Sequence, residues 1–409
     1  VREFDFHQPT RSRCCARDAG KGGDLKVLHL ITWLVPGGIE KWLLSMLAEI
    51  PRNECAMDIA CKGVSTGPLA HVAEAAGARV LHCPLTPVHF GFARQMKQIL
   101  REGKYDIVHN HLANYSGFAT WIARGRSTPS IASYHNTEFP PETWTRRPGL
   151  RQLRDAYSQR SMSYALRNSQ FVTGCSEAVL ESLTAYAPRK ENWRILPYGI
   201  EVPPPPGDAA RRALRAEFGW SPETPVVLHV GRFIEQKNHV GLLEIFARIS
   251  KEIPAARLLL VGEGPLQSEI QNEISARGLE DKAVCAGVRS DVPQLMSNSD
   301  LFLFPSFHEG FGLVAIEANG AGLPVVASKI PGVTEAVADQ ETAFLFPLPG
   351  VQEMADASIE LLNNPDLRKQ MGEAGRARVR QKFTRAASAQ NLLQLYRDCL
   401  AQGGSTLRL

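Results

Sequence analysis

The sequence predicts an α/β protein built as two doubly wound parallel-sheet domains. Three observations lead there. From Leu25 onward, apolar strands alternate with segments of helical period, a rhythm that calls for parallel strands joined by helical crossovers. The chain has 409 residues, too many for one ordinary core. The rhythm also breaks once, at the stiff run Pro203 to Pro206, and restarts with PVVLHVGRF, so a second sheet begins beyond a linker.

Composition narrows the class. The net charge of +4 hides an asymmetry: residues 1–200 carry 25 Lys/Arg and 17 Asp/Glu, the remainder 21 and 25. No basic stripe interleaved with aromatics accompanies the positive half, so nucleic acid is not an expected partner, and an anionic surface or acceptor suits it better. The eight cysteines show no C-x-x-C pair, which favours a reducing cytoplasm over a disulfide scaffold or a zinc site. No apolar run reaches the length of a transmembrane helix. Residues 1–24 have neither period nor an apolar signal core and read as a mobile tail.

The first strand, LKVLHLI, leads through VPGGIEKW into a helix, and Gly37 and Gly38 let the backbone approach a ligand closely. The spacing lacks the three glycines of a dinucleotide fingerprint. Two later strands end in polar groups where α/β sheets bind ligands, beyond the carboxyl edge. DIVHNHL brings His109 and His111 there, and SIASYHNTEF brings His135. With no third ligand spaced nearby, no metal is expected at His-x-His. Six arginines and one acid, Asp155, fall between Trp144 and Arg167; Arg147, Arg151 and Arg154 share one face of a helix, a candidate contact for an anionic membrane surface.

In the second half, PVVLHVGRF is a strand whose following loop carries Arg232 and Lys237, two cations suited to a diphosphate leaving group. LLLVGEGPLQ offers Gly262-Glu263-Gly264, but Pro265 and the missing third glycine defeat a nicotinamide reading. VCAGV ends at Gly287-Val288. Then comes LFLFPSFHEGFGLVAIEANGAG: a buried strand, a glycine-punctuated loop and a helix start. Free N–H groups and the helix macrodipole make that junction an anion site, yet it also holds Glu309 and Glu317. A ligand carrying both phosphate and vicinal hydroxyls reconciles the two, and a nucleotide sugar is such a ligand.

The run EGFGLVAIE, Glu309 to Glu317, resembles the Glu-x7-Glu signature of the retaining GT-B glycosyltransferases of family four, many of them bacterial enzymes of cell-surface and exopolysaccharide synthesis. The resemblance runs from about Lys26 to Leu400. It implies a GT-B fold, with residues 25–196 forming the acceptor-side domain, 197–384 the nucleotide-sugar domain, and 385–409 packing back onto the first. By that resemblance Arg232 and Lys237 match the family's G-R-x-x-x-x-K pair at the diphosphate, Gly37 and Gly38 face the diphosphate across the cleft, and the backbone at Val288 holds the base. Glu317 would hold the ribose hydroxyls, Glu309 with the amides of Gly310, Phe311, Gly312 and Leu313 the donor sugar, and His135 would line the reacting face. The donor is expected to be a UDP-sugar, with GDP second, and the acceptor a saccharide or lipid-linked saccharide. No Asp-x-Asp occurs, so neither metal nor other cofactor is expected, and retention is expected through front-face attack in which the leaving phosphate takes the acceptor proton. A cytoplasmic enzyme, peripheral on the inner face of the plasma membrane, would fit. An epimerase or phosphorylase on the same fold, or a non-catalytic sugar-nucleotide sensor, are the alternatives.

Overall fold

The computed structural model describes residues 25–85, 89–139 and 148–406; the expected tail, 1–24, lies outside them. The first half supplies seven strands: β1 (Leu25–Ile31), β2 (Cys55–Cys61), β3 (Val80–His82), β4 (Ile107–Asn110), β5 (Ser130–Tyr134), β6 (Phe171–Gly174) and β7 (Trp193–Ile195). They form one parallel sheet in the order β3-β2-β1-β4-β5-β6-β7. The central strands are buried because helices cover both faces: every residue of β2 and β5 is buried. The second half supplies β8 (Val226–Val230), β9 (Arg257–Val261), β10 (Ala283–Cys285), β11 (Leu301–Phe304), β12 (Val325–Ser328) and β13 (Ala343–Phe346), ordered β10-β9-β8-β11-β12-β13. Chain direction across each sheet reverses once, between β1 and β4 and between β8 and β11. Those are the positions where open α/β sheets leave a crevice beyond their carboxyl ends.

The two halves are joined by two adjacent crossings. Ile200 donates its N–H to Phe383 O at 2.8 Å and accepts from the Arg385 N–H at 3.0 Å, so the outgoing and returning chains lie side by side. The final helix, Arg385–Thr406, then packs on the first half. Leu392, Tyr396 and Cys399 are fully buried there, and Ser388 Oγ accepts from Trp42 Nε1 at 2.9 Å. One apolar cluster consequently runs without a break from Val27 and Trp42 through Tyr198 to Phe311, Ile316 and Tyr396.

The arginine-rich helix is observed over Pro148–Asn168. Trp144 and Arg147 lie outside the described residues. Arg154 is only 5 % exposed and pairs with the neighbouring Asp155, so it does not join the solvent-facing basic stripe expected of it. Helical spacing places a residue on a face; it does not say which face packs. No helix among the described residues is long and apolar enough to cross a membrane.

Candidate active site

The carboxyl edges of the two sheets meet. After β1 comes Gly37, the N-cap of the Gly38–Glu49 helix. The Glu40 carboxylate of the helix's first turn folds back into the space beside it, where a Cβ would displace it. Glu40 is itself changed by the cleft. Burial drives its carboxyl up to about 7, with only partial relief from its own backbone N–H and from the charge of Arg232 across the gap. Arg232 itself stays exposed on the loop after β8.

The glycine-punctuated loop follows β11. Lys237 Nζ meets Glu309 Oε1 at 2.6 Å, both side chains are largely buried, and the ammonium also lies 5.1 Å from the centre of the Phe304 ring. The two residues expected to contact different parts of a donor therefore contact each other. Gly310 is required by a close approach: a Cβ would strike the His135 carbonyl of the other domain. Gly312 is required by its backbone, at φ +71°, where it caps the Leu313–Gly320 helix without any side-chain hydrogen bond. Leu313 lies against Gly38, so the two loops expected to share a diphosphate are neighbours. On that helix, Glu317 is partly accessible, and burial raises its carboxyl despite the opposing charge of Lys41.

Other expected residues are placed less simply. The Phe311 side chain packs into the core against Tyr198 and Phe383, at ring distances of 5.9 and 5.6 Å, leaving only its backbone for a ligand. Val288 is 54 % exposed beyond β10, next to the left-handed Gly287. His109 does not reach the sheet edge. It is fully buried within β4, aligned with His29 of β1, because a strand buried on both faces encloses whatever side chains it carries. His135 sits at the cleft, but both ring nitrogens have protein partners: Nδ1 with Tyr198 Oη at 2.7 Å and Nε2 with His111 Nδ1 at 2.8 Å.

The contacts that hold the edges together join residues far apart in the sequence, which local patterns do not reveal. Ser176 Oγ, at the N-cap of the Glu177–Leu183 helix, donates to Gly310 O at 2.5 Å. Glu335 reaches across and accepts the first N–H groups of that helix, from Glu177 at 2.8 Å and Ala178 at 2.9 Å. The available signal was Ser176 followed by Glu177, an N-cap pattern; its partner in the other domain leaves no local trace. Beside Glu309 a cavity of about 370 Å³ opens between the domains, lined by Thr137, Glu138, Ser182, Phe307 and Pro331.

Known proteins are similar to this chain. The family model "Glycosyl transferases group 1" matches residues 210–378, and "Glycosyl transferase 4-like domain" matches 37–199. The D-inositol 3-phosphate glycosyltransferase of Segniliparus rotundus is 32% identical over 330 residues, 73% of this chain and 68% of the relative. The chain belongs to the group 1 glycosyl transferases. This glycosyl transferase is also similar to the N-acetyl-alpha-D-glucosaminyl L-malate synthase of Bacillus anthracis, 26% identical over 77% of this chain and 80% of the relative. Among solved structures, Anabaena HepE in complex with UDP-glucose superposes with a TM-score of 0.77 at 22% identity, covering 93% of this chain and 100% of HepE. The fold of this group 1 transferase is GT-B, two parallel-sheet α/β domains of seven and six strands.

Proposed function

We propose that this glycosyl transferase moves a sugar, with retention of configuration and without a metal, from a nucleotide sugar to a saccharide or lipid-linked saccharide in cell-surface polysaccharide or glycolipid synthesis. One observation carries the reading. The Lys237–Glu309 pair, the Gly310–Gly312 loop and the start of the Leu313–Gly320 helix are set against Gly38 and Glu40 of the other domain. Cations and free amides gather on one side and carboxylates beside them, the donor set that a diphosphate joined to a sugar requires. Arg232 and Lys237 would take up charge growing on the leaving diphosphate, Glu317 the ribose hydroxyls, and the backbone at Gly310 to Leu313 the sugar and phosphate. The acceptor would attack from the face the diphosphate leaves, and the departing phosphate oxygen would take its proton. UDP is the favoured nucleotide, in keeping with the UDP-glucose of the HepE complex, and GDP the second.

A panel of nucleotide sugars, scored for thermal stabilisation and for slow hydrolysis with EDTA present, tests the reading. The expected result is stabilisation by one nucleotide class, turnover that survives EDTA, and a product whose anomeric coupling matches the donor. Glu317→Ala should keep the fold and lose donor affinity and turnover together. Stabilisation by no nucleotide sugar, or a Glu317→Ala enzyme as active as the parent at low and saturating donor, would overturn it.

A further inference from the structure

Behind the cleft, the core of the first domain holds a file of polar groups that glycosyl transfer does not account for. It begins at Tyr198, whose hydroxyl meets His135 Nδ1 at 2.7 Å, and continues from His135 Nε2 to His111 Nδ1 at 2.8 Å and from His111 Nε2 to His29 Nδ1 at 3.1 Å. His29 Nε2 meets the Tyr396 hydroxyl at 3.1 Å, and the same hydroxyl meets His109 Nδ1 at 2.9 Å. His109 Nε2 meets Ser133 Oγ at 2.6 Å, and Ser133 meets Thr173. Apart from His135 at the cleft, every member is buried.

His29, His109 and His111 each bring a ring nitrogen within 4.8 Å of the others, close enough for a metal ion. Yet each of the eight ring nitrogens of the four histidines already has a protein partner, and a metal would have to break that ring of contacts. The donor count points elsewhere. A neutral imidazole has one donor and one acceptor nitrogen, and a hydroxyl gives one hydrogen. In a single file, choosing the direction of one link therefore fixes all the others. If Tyr198 donates to His135, every ring carries its hydrogen on Nε2; if the order runs the other way, every ring carries it on Nδ1.

We infer that His135, His111, His29, Tyr396 and His109 form one proton-ordered chain in which all four imidazoles hold their hydrogen at the same ring position. Tyr396 of the last helix is thus a positioning residue for His135 at the cleft. A cation anywhere in the file would split it into two opposed halves, and burial prevents that. His29 and His135 are held down to about 3 by desolvation, opposed at His29 by the charge of Asp58, and His109 and His111 lie well below the usual histidine value through desolvation first and their neighbouring histidines second.

The test uses the full chain labelled with 15N-histidine, stripped of metal with EDTA, and long-range proton–nitrogen correlation spectra at neutral pH. The four rings should report neutral imidazoles of a single tautomer. Tyr396→Phe removes the hydroxyl that joins the halves, and a buried N–H without an acceptor is avoided more strictly than a bare lone pair. In that variant His109 should hold its hydrogen on Nε2 while His29, His111 and His135 hold theirs on Nδ1. Tyr198→Phe, at the other end, should put all four on Nε2. Mixed tautomers or a cationic ring in the parent, a Tyr396→Phe spectrum with all four rings unchanged, or stoichiometric zinc held by these histidines would each overturn the inference. The parent spectrum decides even if a variant fails to fold. The spectra read protons whether or not a donor has been identified, so their failure is separate from any failure of the functional reading.

Discussion

Glu40 is held out of water in the folded protein, and its carboxyl rises to about 7. A group whose folded value exceeds its unfolded one keeps a proton that the unfolded chain has already released, so stability falls as pH rises from about 4.5 to about 7. Glu40→Gln should remove that penalty, giving a gain on the order of 3 kcal/mol at pH 8 and none near pH 4, read by urea unfolding at the two values. Lys237 and Glu309 behave differently because they are paired and largely buried. Lys237→Met leaves a carboxylate without its counter-charge and should cost about 3 kcal/mol. Adding Glu309→Gln should return most of the stability but none of the turnover, and a double-mutant cycle on both quantities separates the structural role of the pair from its chemical one. Neither Glu40's burial nor the Lys237–Glu309 contact could be read in the sequence: the first is set by the opposite domain, the second joins residues 72 apart.

At the scale of elements, the sequence was informative where the signal is local. Alternating strands and helical periods gave both sheets, and the glycines at 310 and 312 a turn before a helix, since each depends on neighbours along the chain. Two things were hidden. The basic face assigned to the Pro148–Asn168 helix loses Arg154 to the interior, because periodicity cannot distinguish a packed arginine from a solvated one. The clasp between the domains was invisible too, since Glu335 caps a helix that begins at Glu177, far away in sequence. Removing that cap should expose the two N–H groups it satisfies. Glu335→Ala is expected to cost about 1 kcal/mol and to speed amide exchange at Glu177 and Ala178 well before global unfolding. Unchanged exchange there would mean the clasp has no energetic weight.

For the whole molecule, Ser176 to Gly310 and Glu335 to the Glu177 helix join the cleft side, while the paired crossings at Ile200 and Phe383 to Arg385 join the far side. Opening must break the first set and can bend the second, which makes the crossings a hinge. Small-angle scattering should show a larger radius of gyration without ligand and compaction with a bound UDP-sugar; a radius unmoved by saturating ligand would rule out closure as part of the cycle. The last helix bears on a different matter. Tyr396, Leu392 and Cys399 complete a core whose other walls, among them Val27, Trp42 and Met57, were laid down at the start of the chain. On the ribosome, the first domain must therefore wait, with an apolar groove and its buried histidines open, until the Arg385–Thr406 helix has been made. Vectorial synthesis gives it no early native state. Nascent chains stalled before residue 385 should remain protease-sensitive and bound by holdase chaperones, even though the second domain, emerging later, has an independent core around Leu242, Leu260 and Leu361.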